Sequence, residues 1–468
     1  GYWRREFMKR KLVKMLTVAC VTAIAASAFV GCGNKEEAPK DNEKPSTEQA
    51  EGSGEKKVLE IAVFEGGFGK DYWDACIDAF EAEHPDVEVK MEANPKIGDI
   101  IRPKLSSENT PDFIYLSTND PSGIANALIK DKALVDLSDV FDREDPDNPG
   151  QKLKDKILPG FLDTPLTTPY GDGKVFLAPL YYNVTGMWYN KALFKEKGWE
   201  VPKTWDEFFE LGKKAKDEGI ALYTYQGQAP GYNEAVIFPM LASAAGEEAV
   251  EKIFNYEEGA WKDPNVKKAL DIFQRMADED MVLNGTVGMT HTQAQVEFLN
   301  GKALFLPCGS WLEGEMKDAI PEGFEFGFMA PPAFKEGDTP YVTTTIEQMY
   351  IPAKSDQVEL AKEFLAFQYT DAMVQKNAEI AKAVVPVKGA VEKAKSSLDA
   401  SGYESYKVVE EGAKPIPLSF KPTNSKLDFR NDSLFGPVGS IINKELTVDE
   451  WINNLESDSQ TLAKEVVE

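Results

Sequence analysis

From Val58 onward the hydrophobic positions alternate between two periods. Lys57 to Phe64 is a continuous apolar, β-branched run, the pattern of a buried strand. Beyond a glycine-rich gap, Trp73, Cys76, Ile77 and Phe80 recur at three- and four-residue spacing. That spacing predicts a helix capped by Asp71, with Cys76 in the core, and His84-Pro85 stops it. Val87 to Met91 reads as a second strand, Ile100 to Glu108 as a second helix and Phe113 to Leu116 as a third strand. Strands separated by helices predict a parallel sheet covered by helices.

The same alternation resumes after Asn190. Thr204-Trp205-Asp206-Glu207 has the form of a capping box, and Trp205, Phe208, Leu211 and Ala215 mark the inward face of the helix it opens. Ile220 to Thr224 reads as a strand, residues 234 to 300 as mainly helix, and Ala303 to Leu306 as a strand. Another strand ends at Tyr350-Ile351, and Ser355 to Tyr369 is an amphipathic helix. The acidic segment Asp142 to Asn148 brings five side-chain oxygen donors in seven residues, enough for a calcium ion as the alternative, but the EF-hand spacing and its Gly are absent from it, so it reads as a solvated loop.

The first 57 residues have no such alternation. Met8 is followed by Lys9, Arg10, Lys11 and Lys14, then by an uncharged run from Met15 to Val30 that ends at Gly31-Cys32. This is the outline of an export signal over residues 1 to 31. A small residue before a cysteine resembles the bacterial lipobox, with Phe29 where Leu is usual, and the resemblance implies lipid attachment at Cys32. The alternative is an ordinary secretory signal with Cys32 passive. Residues 32 to 57 are polar and rich in Lys, Glu, Pro, Ser and Gly, the composition of a tether.

Loss of residues 1 to 31 removes six basic residues and one Glu, so the formal charge moves from −26 to −31. So acidic a surface excludes nucleic acid as an expected partner and favours a neutral ligand. The 411 residues from Val58 to Glu468 are too many for one core and predict two lobes. Only Cys76 and Cys308 follow Cys32, so no disulfide framework is implied.

Ligands of open parallel sheets bind beyond the carboxyl ends of the strands. Glu65-Gly66-Gly67-Phe68-Gly69 and Ser117-Thr118-Asn119-Asp120 occupy that place after the first and third strands. Aromatic and amide residues recur at other strand ends: Tyr181-Tyr182-Asn183, Tyr225-Gln226, Tyr232-Asn233 and Gly309-Ser310-Trp311. Rings that cover the C–H face of a sugar, beside groups that bond its hydroxyls, suit such a set. The candidate ligand residues are therefore Glu65, Phe68, Asn119, Asp120, Tyr181, Asn183, Gln226, Tyr232, Asn233, Trp311 and Glu347. Two histidines cannot build a His-rich metal site, and no G-x-S-x-G, P-loop or H-E-x-x-H occurs, so no cofactor, metal or catalytic residue is expected.

Several segments carry a family resemblance. They are Phe80-Glu81-Ala82-Glu83-His84-Pro85-Asp86-Val87, Met187 to Phe194, Pro202 to Glu207, Phe298 to Ala303 with the Gly309-Ser310-Trp311 turn, and Ala361 to Leu365. On these the chain resembles the family 1 extracellular solute-binding proteins of bacterial ABC transporters, the group that includes the maltose-binding proteins. The resemblance implies a type II periplasmic-binding fold of two α/β lobes around a ligand cleft, joined by hinge crossings. Lobe one would be residues 58–190 and 303–347, and lobe two residues 191–302 and 348–468. It implies a monomer that captures a neutral mono- or oligosaccharide and docks on a membrane permease, with Trp311 stacking on the sugar and Asp120 bonding it. Ser117 stands where the maltose-binding pattern has a tryptophan, so a different ligand is implied. The loop Glu65 to Gly69 is similar to that of members associated with N-acetylglucosamine and chitobiose. The alternatives are a lipid-anchored glycoside hydrolase or lyase, and a binder of a polyamine or peptide.

Overall fold

A computed structural model describes residues 54–466; Cys32, the export signal and the tether up to residue 53 lie outside the described residues. Among the described residues nine strands form one sheet: β1 (Lys57–Phe64), β2 (Val87–Asn94), β3 (Phe113–Tyr115), β4 (Ala178–Asn190), β5 (Ala221–Tyr223), β6 (Ala303–Gly309), β7 (Phe326–Met329), β8 (Tyr341–Tyr350) and β9 (Lys414–Pro417). Their order is β2-β1-β3-β8-β4-β6-β5, with β7 on β4 and β9 on β8. β1, β2 and β3 are parallel as expected. The sheet as a whole is mixed, because β8 runs antiparallel to β3 and β4, and β4 antiparallel to β6 and β7. Hydrophobic period identifies a strand but carries no information about which way its partner runs.

The local readings hold except where backbone chemistry intervenes. Lys70 rather than Asp71 is the cap of the helix Asp71–Glu83; Asp71 is its first residue, where a negative charge favours the helix dipole. The second helix is Ile97–Ile101, continued by a tight turn Arg102–Lys104. Pro103, lacking an N–H, fits that turn and would interrupt the longer helix expected over 100 to 108. Thr204 Oγ1 accepts from the Glu207 N–H at 3.2 Å, but Glu207 Oε2 accepts from Lys203 N at 2.8 Å, one residue upstream of the reciprocal partner.

Packing divides the interior into two main cores. Trp73, Phe80, Phe113 and Tyr115 anchor the first, against Phe364 and Leu365 of the helix Val358–Phe367. Trp205, Phe208, Trp261, Phe273 and Trp451 anchor the second. Two placements differ from the lobe boundaries read from sequence. The helix Val358–Phe367, expected in lobe two, packs into the first core. The strand β6, expected in lobe one, serves both cores: Leu306 and Cys308 join the first and Leu304 and Phe305 the second, and it pairs in parallel with β5. Long β4 and β8 touch strands of both regions, so chain order alternates between cores more often than hydropathy reveals. The segment Asp142 to Asn148 is not wholly solvated either: Asp145 is 1% exposed, its carboxylate paired with the buried Lys156 ammonium.

Candidate functional site

Trp311 leaves β6 through Gly309 and Ser310 and remains 41% exposed, one of two large hydrophobic side chains so exposed among the described residues. Its ring folds back over the strand end. A Cβ on Gly309 would lie 2.0 Å from that ring, so only glycine permits the pose. Trp311 can only donate through its indole N–H, and it shares a cavity wall with Tyr232. The Tyr232 ring stands parallel to the His291 imidazole at 6.5 Å, and His291 Nε2 lies 3.2 Å from Glu315 Oε1.

A cavity of about 680 Å³ opens beside these rings, lined among others by Tyr232, Glu234, Trp311, Arg430 and Asn431. Burial pushes the Glu234 carboxyl up to about 7, with the Arg430 guanidinium opposing the shift. Arg430 also lies 5.1 Å over the Phe420 ring, which holds the cation at the wall. Behind Trp311 a polar group gathers where β4 and β8 pair. Tyr406 Oη donates to Asn183 Oδ1 at 3.1 Å. Tyr115 donates its hydroxyl to Glu347 Oε2. Burial alone pushes the Glu347 carboxyl up to about 7. Aromatic faces thus stand beside carboxylates that are poorly solvated, and a ligand with both C–H faces and hydroxyls can satisfy both.

The family described as bacterial extracellular solute-binding protein matches residues 69–375. The chain belongs to that family. The diacetylchitobiose-binding protein NgcE of Streptomyces coelicolor is 30% identical over 319 residues, covering 66% of this chain and 66% of NgcE, so the match spans about two thirds of either protein. The multiple sugar-binding protein of Streptococcus mutans is 28% identical over 329 residues, 69% of this chain and 73% of that protein. Among solved structures, a family 1 extracellular solute-binding protein from Bifidobacterium longum subsp. infantis superposes with a TM-score of 0.66 at 18% identity, covering 87% of this chain and 100% of its own. Structures at that identity establish the fold, the two-lobe architecture of periplasmic solute-binding proteins.

In this solute-binding protein the residues singled out from sequence separate into three groups. Trp311, Tyr232, Asn183 and Glu347 converge on the region just described. Phe68 reaches only the Tyr181 ring, at 4.8 Å, while Tyr181 is buried and donates to Asn377, so it backs the wall instead of forming it. Gln226 and Asn233 are fully buried: Gln226 Nε2 donates to Pro307 O at 2.9 Å, and Asn233 accepts from Tyr223 at 2.6 Å. Their amides brace the strand ends, as buried polar groups must. Glu65 is half-buried at the end of β1 and lies outside the walls of the 680 Å³ cavity. Asp120 accepts from Ser122 N at 3.0 Å and so shapes its own turn. Asn119 lines a separate cavity of about 440 Å³ with Tyr170 and Phe420.

Sequence reasoning missed Arg430, Asn431, Tyr115 and Tyr406. Arg430 and Asn431 belong to an irregular wide-turn helix, Phe429–Phe435, with no strand-end signature. Tyr115 and Tyr406 are buried and carry no sequence signal of a site.

Proposed function

We propose that this protein captures a neutral sugar or short oligosaccharide and delivers it to a membrane permease of an ABC importer, while a lipid on Cys32 keeps it at the outer face of the membrane. The observation that carries the proposal is the exposed Trp311 ring on a cavity wall shared with Tyr232 and the Glu234 carboxylate. An indole left 41% in water has a use for a ligand face that core tryptophans do not. Hinge closure around the ligand is the established motion of periplasmic binding proteins, and it is carried over here. The ligand must favour the closed state through contacts made only there. The diacetylchitobiose-binding relative and the Glu65 to Gly69 loop support an N-acetylated disaccharide as the first sugar to try.

The test is a thermal-shift screen with mono- and oligosaccharides, including chitobiose, and with spermidine and amino acids as controls. A sugar at about 100 times its Kd adds about 2.7 kcal/mol and raises the melting temperature. A response to spermidine alone would reassign the ligand class. Recovery of the sugar intact after incubation separates capture from hydrolysis.

Proton linkage gives an independent check. Glu234 and Glu347 have an ordinary value of 4.5 but titrate near 7 in the folded protein. Their folded values are raised, so the unfolded chain loses these protons first. Stability therefore falls as pH rises from about 4.5 to about 7 and levels off above. Sugar hydroxyls that donate to either carboxylate favour its ionised form, so affinity rises between pH 5.5 and 7.5, by up to about tenfold per pH unit for each group engaged. Calorimetry across that range reads this directly, and Glu347→Gln should flatten the profile. Affinity that falls with rising pH would show the carboxyls donating instead.

A further inference from the structure

We infer that Lys156 supplies, from within the chain, the cation of a calcium-type loop. Calcium loops of the EF-hand kind span twelve residues, with carboxylates at positions one and three, a sharp-turn glycine at six and a glutamate closing on the ion at twelve. Counted from Asp145, this chain has Asp145 at one, Asp147 at three, Gly150 at six and Lys156 at twelve. Gly150 adopts the left-handed backbone, φ +89°, that the sharp turn requires. Short helices flank the loop, Ser138–Asp142 before it and Leu153–Lys156 at its close.

The twelfth side chain brings an ammonium where a calcium loop brings an acid. Lys156 Nζ lies 3.5 Å from Asp145 Oδ1, 3.0 Å from Asp147 Oδ2 and 3.1 Å from Asp371 Oδ1. Its side chain is 6% exposed and that of Asp145 is 1% exposed. The loop is closed around the charge: Asp145 N donates to Gln151 O at 2.8 Å and Asn148 Nδ2 to Asp145 Oδ2 at 2.8 Å. Asp371 N donates to Asp147 Oδ2 at 2.8 Å, so the same cluster clips the loop to the helix Asp371–Lys376. Burial works to raise the Asp145 carboxyl, but hydrogen bonds from Asn148 and the Asp147 N–H together with the Lys156 charge hold it below its ordinary value. Among the described residues no group of three or more His, Cys, Asp or Glu is set to hold a metal ion. The carboxylates of this loop are already committed to the lysine.

A tethered cation cannot dissociate, so the loop is held at any calcium concentration. An ordinary buried ion pair would make Lys156→Met destabilising and nothing more. Substitution of the cation adds a second expectation. Unfolding of the wild-type protein should be unmoved by EGTA or by calcium up to about 10 mM. Lys156→Glu restores an acid at position twelve, and its lowered melting temperature should climb with calcium and drop again on EGTA. Pro149 offers no side-chain ligand at position five, so half-maximal recovery is expected in the weak range, about 0.1–1 mM. Lys156→Met should melt early at every calcium concentration. Should Lys156→Glu not stay folded, its refolding yield from urea with and without calcium answers the same question. Stabilisation of the wild-type protein by calcium, or a Lys156→Glu variant as indifferent to calcium as Lys156→Met, would overturn the inference.

Discussion

Trp311→Ala should weaken sugar binding by about 2–4 kcal/mol, roughly thirtyfold to a thousandfold in Kd. The ring is 41% exposed, so the protein interior loses less packing with it than with a core tryptophan. Removing it deletes the proposed stacking surface and the indole N–H donor on the wall beside Tyr232. The unfolding midpoint should therefore barely move while affinity collapses. Titration calorimetry of the variant with whichever sugar answers the thermal screen decides the matter, and an unchanged Kd would remove Trp311 from the site.

Trp73→Ala should do the opposite, costing about 3–5 kcal/mol of stability. Trp73 is 1% exposed and its ring centroid lies 5.2 Å from that of Tyr115, 5.8 Å from Phe113 and 6.3 Å from Phe364. It locks the helix Asp71–Glu83 to β3 and to the helix Val358–Phe367, segments nearly three hundred residues apart in sequence. The cavity left by an indole in so dense an aromatic cluster cannot close by small shifts. Urea denaturation should show the lost stability as a lower midpoint. A loss under about 1 kcal/mol would mean that the first core repacks around the vacancy. Trp73 and Trp311 differ little as letters in a sequence; burial makes the one a structural residue and leaves the other free to meet a ligand, the role proposed for it.

Local chemistry was the legible part. The β-branched run Lys57–Phe64 is β1 to the residue, the Thr204 cap opens its helix, and the turn Gly309-Ser310-Trp311 presents its ring outside the strand. Each of these depends on side chains within a few positions, so spacing is enough. Gln226, Asn233 and Tyr181 show where that reasoning stops. An amide or phenol can face a ligand or brace the backbone, and the choice depends on what packs across from it; Tyr181 to Asn183, expected at a strand end, lie inside β4. Gln226 meets Pro307 O and Gln295, and Tyr181 meets Asn377, partners about 80 or more residues away in two of these three contacts. The acidic segment shows the same limit: solvation was expected, and a lysine eleven residues beyond Asp145 supplied a buried partner.

The sequence by itself determined the class of the protein: an acidic α/β chain with two main cores, of the extracellular solute-binding family. Hydrophobic period and capping act over one or two turns, and composition acts on the whole surface, so neither needs the fold. Only the tertiary structure decided which strands run antiparallel, that β6 sits beside β5, and that Arg430 and Glu234 share a wall with Trp311. Those outcomes follow from pairing and burial between segments far apart in the chain, where side-chain type is compatible with several partners and packing selects one.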